Sequence, residues 1–205
     1  MTIAGRSSAI LLALFICNAT ASAEENASAK LPVWSVSPKA APALMEEVDG
    51  DWFSIRPPKG LERLDIGDTT AYDRAGVKVA VWTKEAGRAA NPTITVMSLP
   101  PHTPGHDNRE LFEGVLGALT AKWPNAKGSE ITEGLWNDRP ALRSQFSATD
   151  ETGEQIRGVV LCDADESATF TVCVINSGDA EEDTIELMTL ANSAVSCKLK
   201  SSRAR

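Results

Sequence analysis

The chain has two histidines, His102 and His106, and Asp107 follows directly on the second. They lie in Pro101-His102-Thr103-Pro104-Gly105-His106-Asp107. Two imidazoles and a carboxylate are donor types that hold a transition metal. The same stretch reads as a Pro/Gly loop, and Asp107 is placed to accept from the orphan amides of a helix that follows. His102, His106 and Asp107 are therefore candidate ligands, set against a plain surface loop. Asp163-Ala164-Asp165-Glu166 crowds carboxylates, but it lacks the glycine and spacing of a calcium loop and reads as a solvated turn. The acids of Ser177-Gly178-Asp179-Ala180-Glu181-Glu182-Asp183 favour the dipole of a helix start and need no further role. There is no Gly-x-Ser-x-Gly, no Cys-x-x-Cys and no phosphate-cradling glycine loop. Neither histidine is tied by motif to a serine or cysteine. No catalytic residue is assigned, and no cofactor is expected.

Cysteine chemistry depends on the compartment, and the N-terminus speaks to that. Arg6 precedes an apolar run through Cys17, then Ala19-Thr20-Ala21-Ser22-Ala23 and Glu24. A positive start, a short apolar stretch and a small-x-small site form a secretory signal, with cleavage expected after Ala23. The run is well short of the ~20 apolar residues that span a bilayer. A lipoprotein reading would use Cys17, but Ile16 stands where a small residue is required. The expected product is periplasmic or secreted, with no transmembrane segment. Its formal net charge of −8 (before cleavage) argues against non-specific binding of nucleic acid or anionic lipid.

Cys162, Cys173 and Cys197 remain after cleavage. Export permits disulfides, and an odd count leaves at least one thiol or an intermolecular bond. A final helix returning along the last strand would bring Cys197 beside Cys162, from the rise per residue of each element. Cys162–Cys197 is the expected bond. Cys162–Cys173 across a hairpin and three free thiols are the alternatives.

The elements that must position these groups follow in blocks. Residues 24–48 read as a flexible Ala/Pro/Ser-rich leader, with a short ordered patch around Val33 and Trp34. Residues 49–200 read as one domain, and 201–205 as a basic tail. Trp52–Ile55, Thr70–Tyr72, Val77–Trp82 and Thr93–Met97 are strand candidates, the first stopped by Pro57-Pro58. A helix begins near Asn108, with Leu111, Phe112, Val115, Leu116 and Leu119 on one face and Pro124 at its end. Ile131–Trp136 and Ala141–Phe146 flank a turn at Asn137–Pro140. Gln155–Cys162 and Thr169–Ile175 form a hairpin. A helix over 180–195 closes the chain, with Leu187, Leu190, Ala191 and Ala194 as its buried stripe. Of the five tryptophans, Trp52 and Trp82 are expected in the core; Trp123 and Trp136 sit beside turns, and core packing there is set against exposure as a partner surface. Strands, helix, strands, helix give an α+β single domain: an antiparallel sheet covered by helices.

Three stretches carry a family resemblance. Phe53-Ser54-Ile55-Arg56-Pro57-Pro58-Lys59-Gly60 is similar to an opening strand and Pro-x-Gly turn. Gly134-Leu135-Trp136-Asn137-Asp138-Arg139-Pro140-Ala141-Leu142-Arg143 is similar to a mid-chain hairpin. Val159–Ile175 and the terminal helix are similar to a closing strand-strand-helix. Together they resemble the PsbP-like fold of photosystem extrinsic proteins, a yeast Ran-binding protein and DcrB-type periplasmic proteins. The resemblance implies an α/β/α sandwich and an accessory or binding role without a shared reaction. Fold alone does not carry function. The leading expectation is a non-catalytic accessory or protein-binding domain of the bacterial envelope, its partner another envelope protein. The alternatives are a small-ligand or metal-binding module using His102–Asp107, and an unrecognised hydrolase.

Overall fold

The computed structural model describes residues 31–84, 92–100, 108–123, 125–164, 169–177 and 181–200. The expected signal segment, residues His102–Asp107, Asp165, Glu166 and residues 201–205 lie outside the described residues.

The long strands are built by alternation. β5 (Lys78–Thr83), β6 (Thr93–Leu99), β8 (Thr132–Trp136), β9 (Arg139–Thr149), β10 (Gln155–Ala164) and β11 (Thr169–Ser177) run antiparallel in the spatial order β8-β9-β10-β11-β6-β5. Short strands finish the sheet: β1 (Val33–Trp34) pairs parallel with β8, β4 (Glu62–Arg63) pairs with β5, and β7 (Lys127–Gly128) pairs with β9. A second sheet joins β2 (Val48–Asp49), β3 (Phe53–Ile55) and β12 (Lys198–Leu199). Thr70–Tyr72 is not a strand: Thr70–Arg74 is a helical turn, α1, with the Asp68 side chain accepting from the amide and hydroxyl of Thr70. An aspartate at a chain reversal competes with extended pairing in this way.

The two faces of the large sheet are covered differently. On one face lies α3 (Glu181–Ser196) with the small sheet, enclosing Phe53, Trp82, Val96, Trp136, Leu161, Val172 and Leu190. On the other lies α2 (Asn108–Thr120), enclosing Phe112, Trp123, Phe146, Val160, Cys162 and Cys173. Neighbouring residues of one strand point to opposite faces. Val160 and Cys162 thus join the α2 layer while Val159 and Leu161 join the α3 layer.

The β8–β9 turn is a two-residue hairpin, with Asn137 at φ +54° and Asp138 at φ +64°. Asn and Asp tolerate this left-handed region, and such turns match the strand twist. The expected turn at Asn137–Pro140 is thus shorter, and β9 already includes Arg139 and Pro140. Pro140 is admissible because β10 pairs with β9 only from Leu142 onward, so its missing amide faces no partner strand.

The leader reading changes for its second half. Residues 31–48 are packed onto the body: Ala40 and Leu44 are buried, and Arg56 donates to the carbonyls of Met45 and Ala41. The Ser37 amide donates to Asn192 on α3 at 2.6 Å. Trp34 lies flat on Gly134, where a Cβ would stand 2.5 Å from the indole. The folded unit therefore begins by Leu31.

Candidate functional site

One end of the sheet gathers the polar and concave features. The β8–β9 turn, the start of α2 and the far ends of β10 and β11 all reach it. A half-open cleft of about 230 Å³ lies there, lined by Leu31, Asn108, Arg109, Glu133, Pro140, Leu142 and Cys162, among others. Its lining mixes apolar and polar side chains. At its rim Arg109 donates to the Glu133 carboxylate at 3.1 Å, both side chains well exposed. Beside the cleft, the Arg139 guanidinium meets the buried carboxylate of Asp163 at 2.7 Å. Only the carboxylate is buried, so removing Arg139 takes an ion-pair partner from a desolvated charge. The pair ties the β8–β9 turn to the end of β10.

A second cleft, of about 190 Å³, lies between α3 and Pro58-Lys59, lined by Ala43, Leu61, Glu186, Thr189 and Leu190. Both are below the ~300–1,000 Å³ of usual small-molecule pockets.

The sequence candidates are distributed as follows. His102, His106 and Asp107 lie outside the described residues, and the chain emerges from that loop at Asn108 and Arg109, on the cleft wall. Among the described residues no three His, Cys, Asp or Glu side chains group as a metal site.

The expected Cys162–Cys197 bond is not seen; Cys162, Cys173 and Cys197 are free and buried. Helix length does bring the chain back toward the hairpin, but strand alternation decides the outcome. Cys162 points into the α2 layer and Cys197 sits in the α3 layer, with the sheet between them. Cys162 and Cys173 share the α2 face but are diagonal, since Cys162 is opposite Thr171 and Cys173 is opposite Val160. Diagonal neighbours stand at ~7–8 Å, beyond ordinary disulfide reach. Burial raises the pKa of Cys162 to about 12, against a weak hydroxyl contact from Thr171. Burial also raises that of Cys173 to about 12 and lifts that of Cys197 strongly. Protonated, buried thiols are poor nucleophiles.

Sequence reasoning missed the seam that holds α3. The Trp136 indole donates to the Val195 carbonyl at 2.9 Å, and Asn137 Nδ2 donates to the Cys197 carbonyl at 2.7 Å. These two side chains satisfy carbonyls at the helix end that have no helical donor. The Ser193 hydroxyl donates to the Arg56 carbonyl and the Arg56 amide donates to Ser196. Trp136 also stacks on Phe170 at 5.3 Å. The signal was present as Trp136-Asn137-Asp138, read only as a turn.

No family model matches the chain, and no curated protein matches it in sequence. Its architecture is that of the PsbP-like α+β fold. It is similar to cyanobacterial PsbP (CyanoP) from Synechocystis sp. PCC 6803, at a TM-score of 0.53 and 11% identity, covering 77% of this chain and 94% of that one. It is also similar to LpqN of Mycobacterium tuberculosis, described as involved in cell envelope biogenesis, at a TM-score of 0.45 and 16% identity, covering 80% of this chain and 95% of that one. At these identities the likeness concerns the fold. Among the described residues no helix is long and apolar enough to cross a membrane.

Proposed function

We propose that this protein is a non-catalytic accessory domain of the bacterial cell envelope, released by cleavage near Ala23, that docks another envelope protein at the cleft beside the β8–β9 turn. The observation that carries the reading is the cleft itself. At about 230 Å³, half open and lined by both apolar and polar side chains, it suits one or two side chains of a protein partner better than a whole substrate. The rim ion pair and the Arg139–Asp163 pair would hold its walls in register. The thiol beneath it, Cys162, is protonated at neutral pH and serves packing.

A second reading keeps the His102–Asp107 loop as a metal or small-ligand site, favoured by its direct continuation into Asn108 and Arg109 on the cleft wall. Isolation of the tagged protein from envelope extracts, followed by native mass spectrometry, separates the two. A stoichiometric protein partner supports the first reading. A monomer carrying a metal or small molecule supports the second.

A further inference from the structure

Among the described residues, the α3-side face of the sheet is only half covered. α3 lies over β10, β11 and β6, and the segment around Trp34 covers Gly134. Between and beyond them β9 shows Gln145 and Ser147 to solvent. Register places three cations on this bare area. Arg143 is opposite Leu161, whose side chain is in the α3 layer. Ser147 is two pleats further along β9 on the same face, with Lys127 opposite it on one side and Arg157 on the other. Lys127, Arg143 and Arg157 therefore share one face.

None of the three has an ion pair or a side-chain hydrogen bond among the described residues. Glu130, in the connection between β7 and β8, makes no ion pair either. Arg143 is the telling member. It is half-buried, and loss of solvent pulls its guanidinium below the ordinary value with no carboxylate to offset it. A partly desolvated charge without a counter-charge is a cost to the folded protein. On a chain of formal charge −8, three unpaired cations on one face stand against the overall sign.

We propose that Lys127, Arg143 and Arg157 form a docking surface for an extended acidic segment of a partner protein, whose carboxylates supply the missing counter-charges. The spacing suits this class. Lys127 and Arg157 flank one strand, so their Cα atoms lie roughly 10 Å apart, and Arg143 is roughly 13 Å from Ser147 along β9. An extended segment covers such distances in about three to four residues and presents alternate side chains to one side. Guanidinium groups take carboxylates in a planar two-point fit. This surface and the cleft are separate: Leu142 and Cys162 point to the opposite face. The inference adds a partner class to the reading above and can fail while the cleft reading stands.

The test is an NMR titration of the purified mature protein, at low salt, with a peptide of alternating Glu and Thr. Shifts should cluster at the amides near Lys127, Arg143–Ser147 and Arg157, and weaken as salt is raised. The Gln/Thr peptide should give none. The double variant Arg143→Gln/Arg157→Gln should bind roughly tenfold more weakly, as expected for two surface pairs. It should fold as the parent does, because neither guanidinium holds a partner among the described residues. Lys78→Gln, an exposed cation on β5, should leave binding unchanged. Equal binding by parent and double variant, shifts centred on the cleft, or stronger binding of duplex DNA or anionic vesicles at these amides would each overturn the proposal.

Discussion

The two helices are held to the sheet by different means. α3 ends in a polar seam: Trp136, Asn137, Ser193 and Ser196 tie its last turn to the β8–β9 hairpin and to Arg56, and Lys200 adds bonds to Gly50 and Asp49. α2 rests mainly on apolar packing, with Phe112 and Val115 buried and Trp123 stacked on Phe146 at 6.0 Å, beside the exposed Arg109–Glu133 pair at its start. Directional bonds leave α3 one seating. Apolar contacts tolerate small shifts, and the cleft sits at the start of α2. The cleft proposed for docking thus borders the α2 layer, while the basic face lies on the α3 side of the sheet.

The sharpest way to break the contrast is Trp136→Ala. It removes a fully buried ring, its stack on Phe170 and a cap on α3, and should cost about 3–5 kcal/mol, read by urea unfolding. The conservative Trp136→Phe should recover the packing but not the bond to Val195. If it matches the parent in stability, the seam contributes nothing measurable.

A smaller effect is expected at Gly134. A methyl group there collides with the Trp34 indole, so Gly134→Ala should cost about 1–3 kcal/mol and loosen the segment around residues 31–40. Trypsin would then cut after the exposed Lys39 faster than in the parent. Unchanged cleavage would show that Trp34 does not anchor that segment.

At neutral pH the thiols give the smallest effect, since theirs is felt only in alkali. Their folded pKa values are raised, so the unfolded chain loses protons first as pH rises. The stability they lend is complete below the ordinary value of 9.0 and falls between that and about 12, by about 1.4 kcal/mol per pH unit for each thiol at most. Replacing Cys162 and Cys173 by valine should flatten this fall in thermal melts from pH 9 to 11. All three cysteines should alkylate in denaturant without reductant. A bond in the isolated protein would contradict the layer assignment.

The sequence carried the layers better than the locks. Hydrophobic periodicity located α2, α3 and the six long strands, because burial on one face writes itself into spacing. Of the two readings open for Trp123 and Trp136, core packing is the one the structure shows. It misread Thr70–Tyr72, where three residues carry too little pattern to oppose the Asp68 turn. It missed the docking of residues 31–48, which depends on Trp34 meeting Gly134 about a hundred positions away. The Cys162–Cys197 expectation used element lengths alone, and the period of two along β10 reversed it. The cleft was invisible in sequence, since Leu31, Arg109, Glu133 and Leu142 meet only through topology. The basic face was hidden for the same reason: Lys127, Arg143 and Arg157 share no motif, only register.

The most direct test of partner docking at the α2 side places a photo-crosslinking residue at Glu133, on the cleft rim, and another at Ile185, on the exposed side of α3. Irradiation of intact cells should give one discrete protein adduct from position 133 and none from position 185. Adducts from position 185 alone, or none from either beside a co-purifying small molecule, would contradict it.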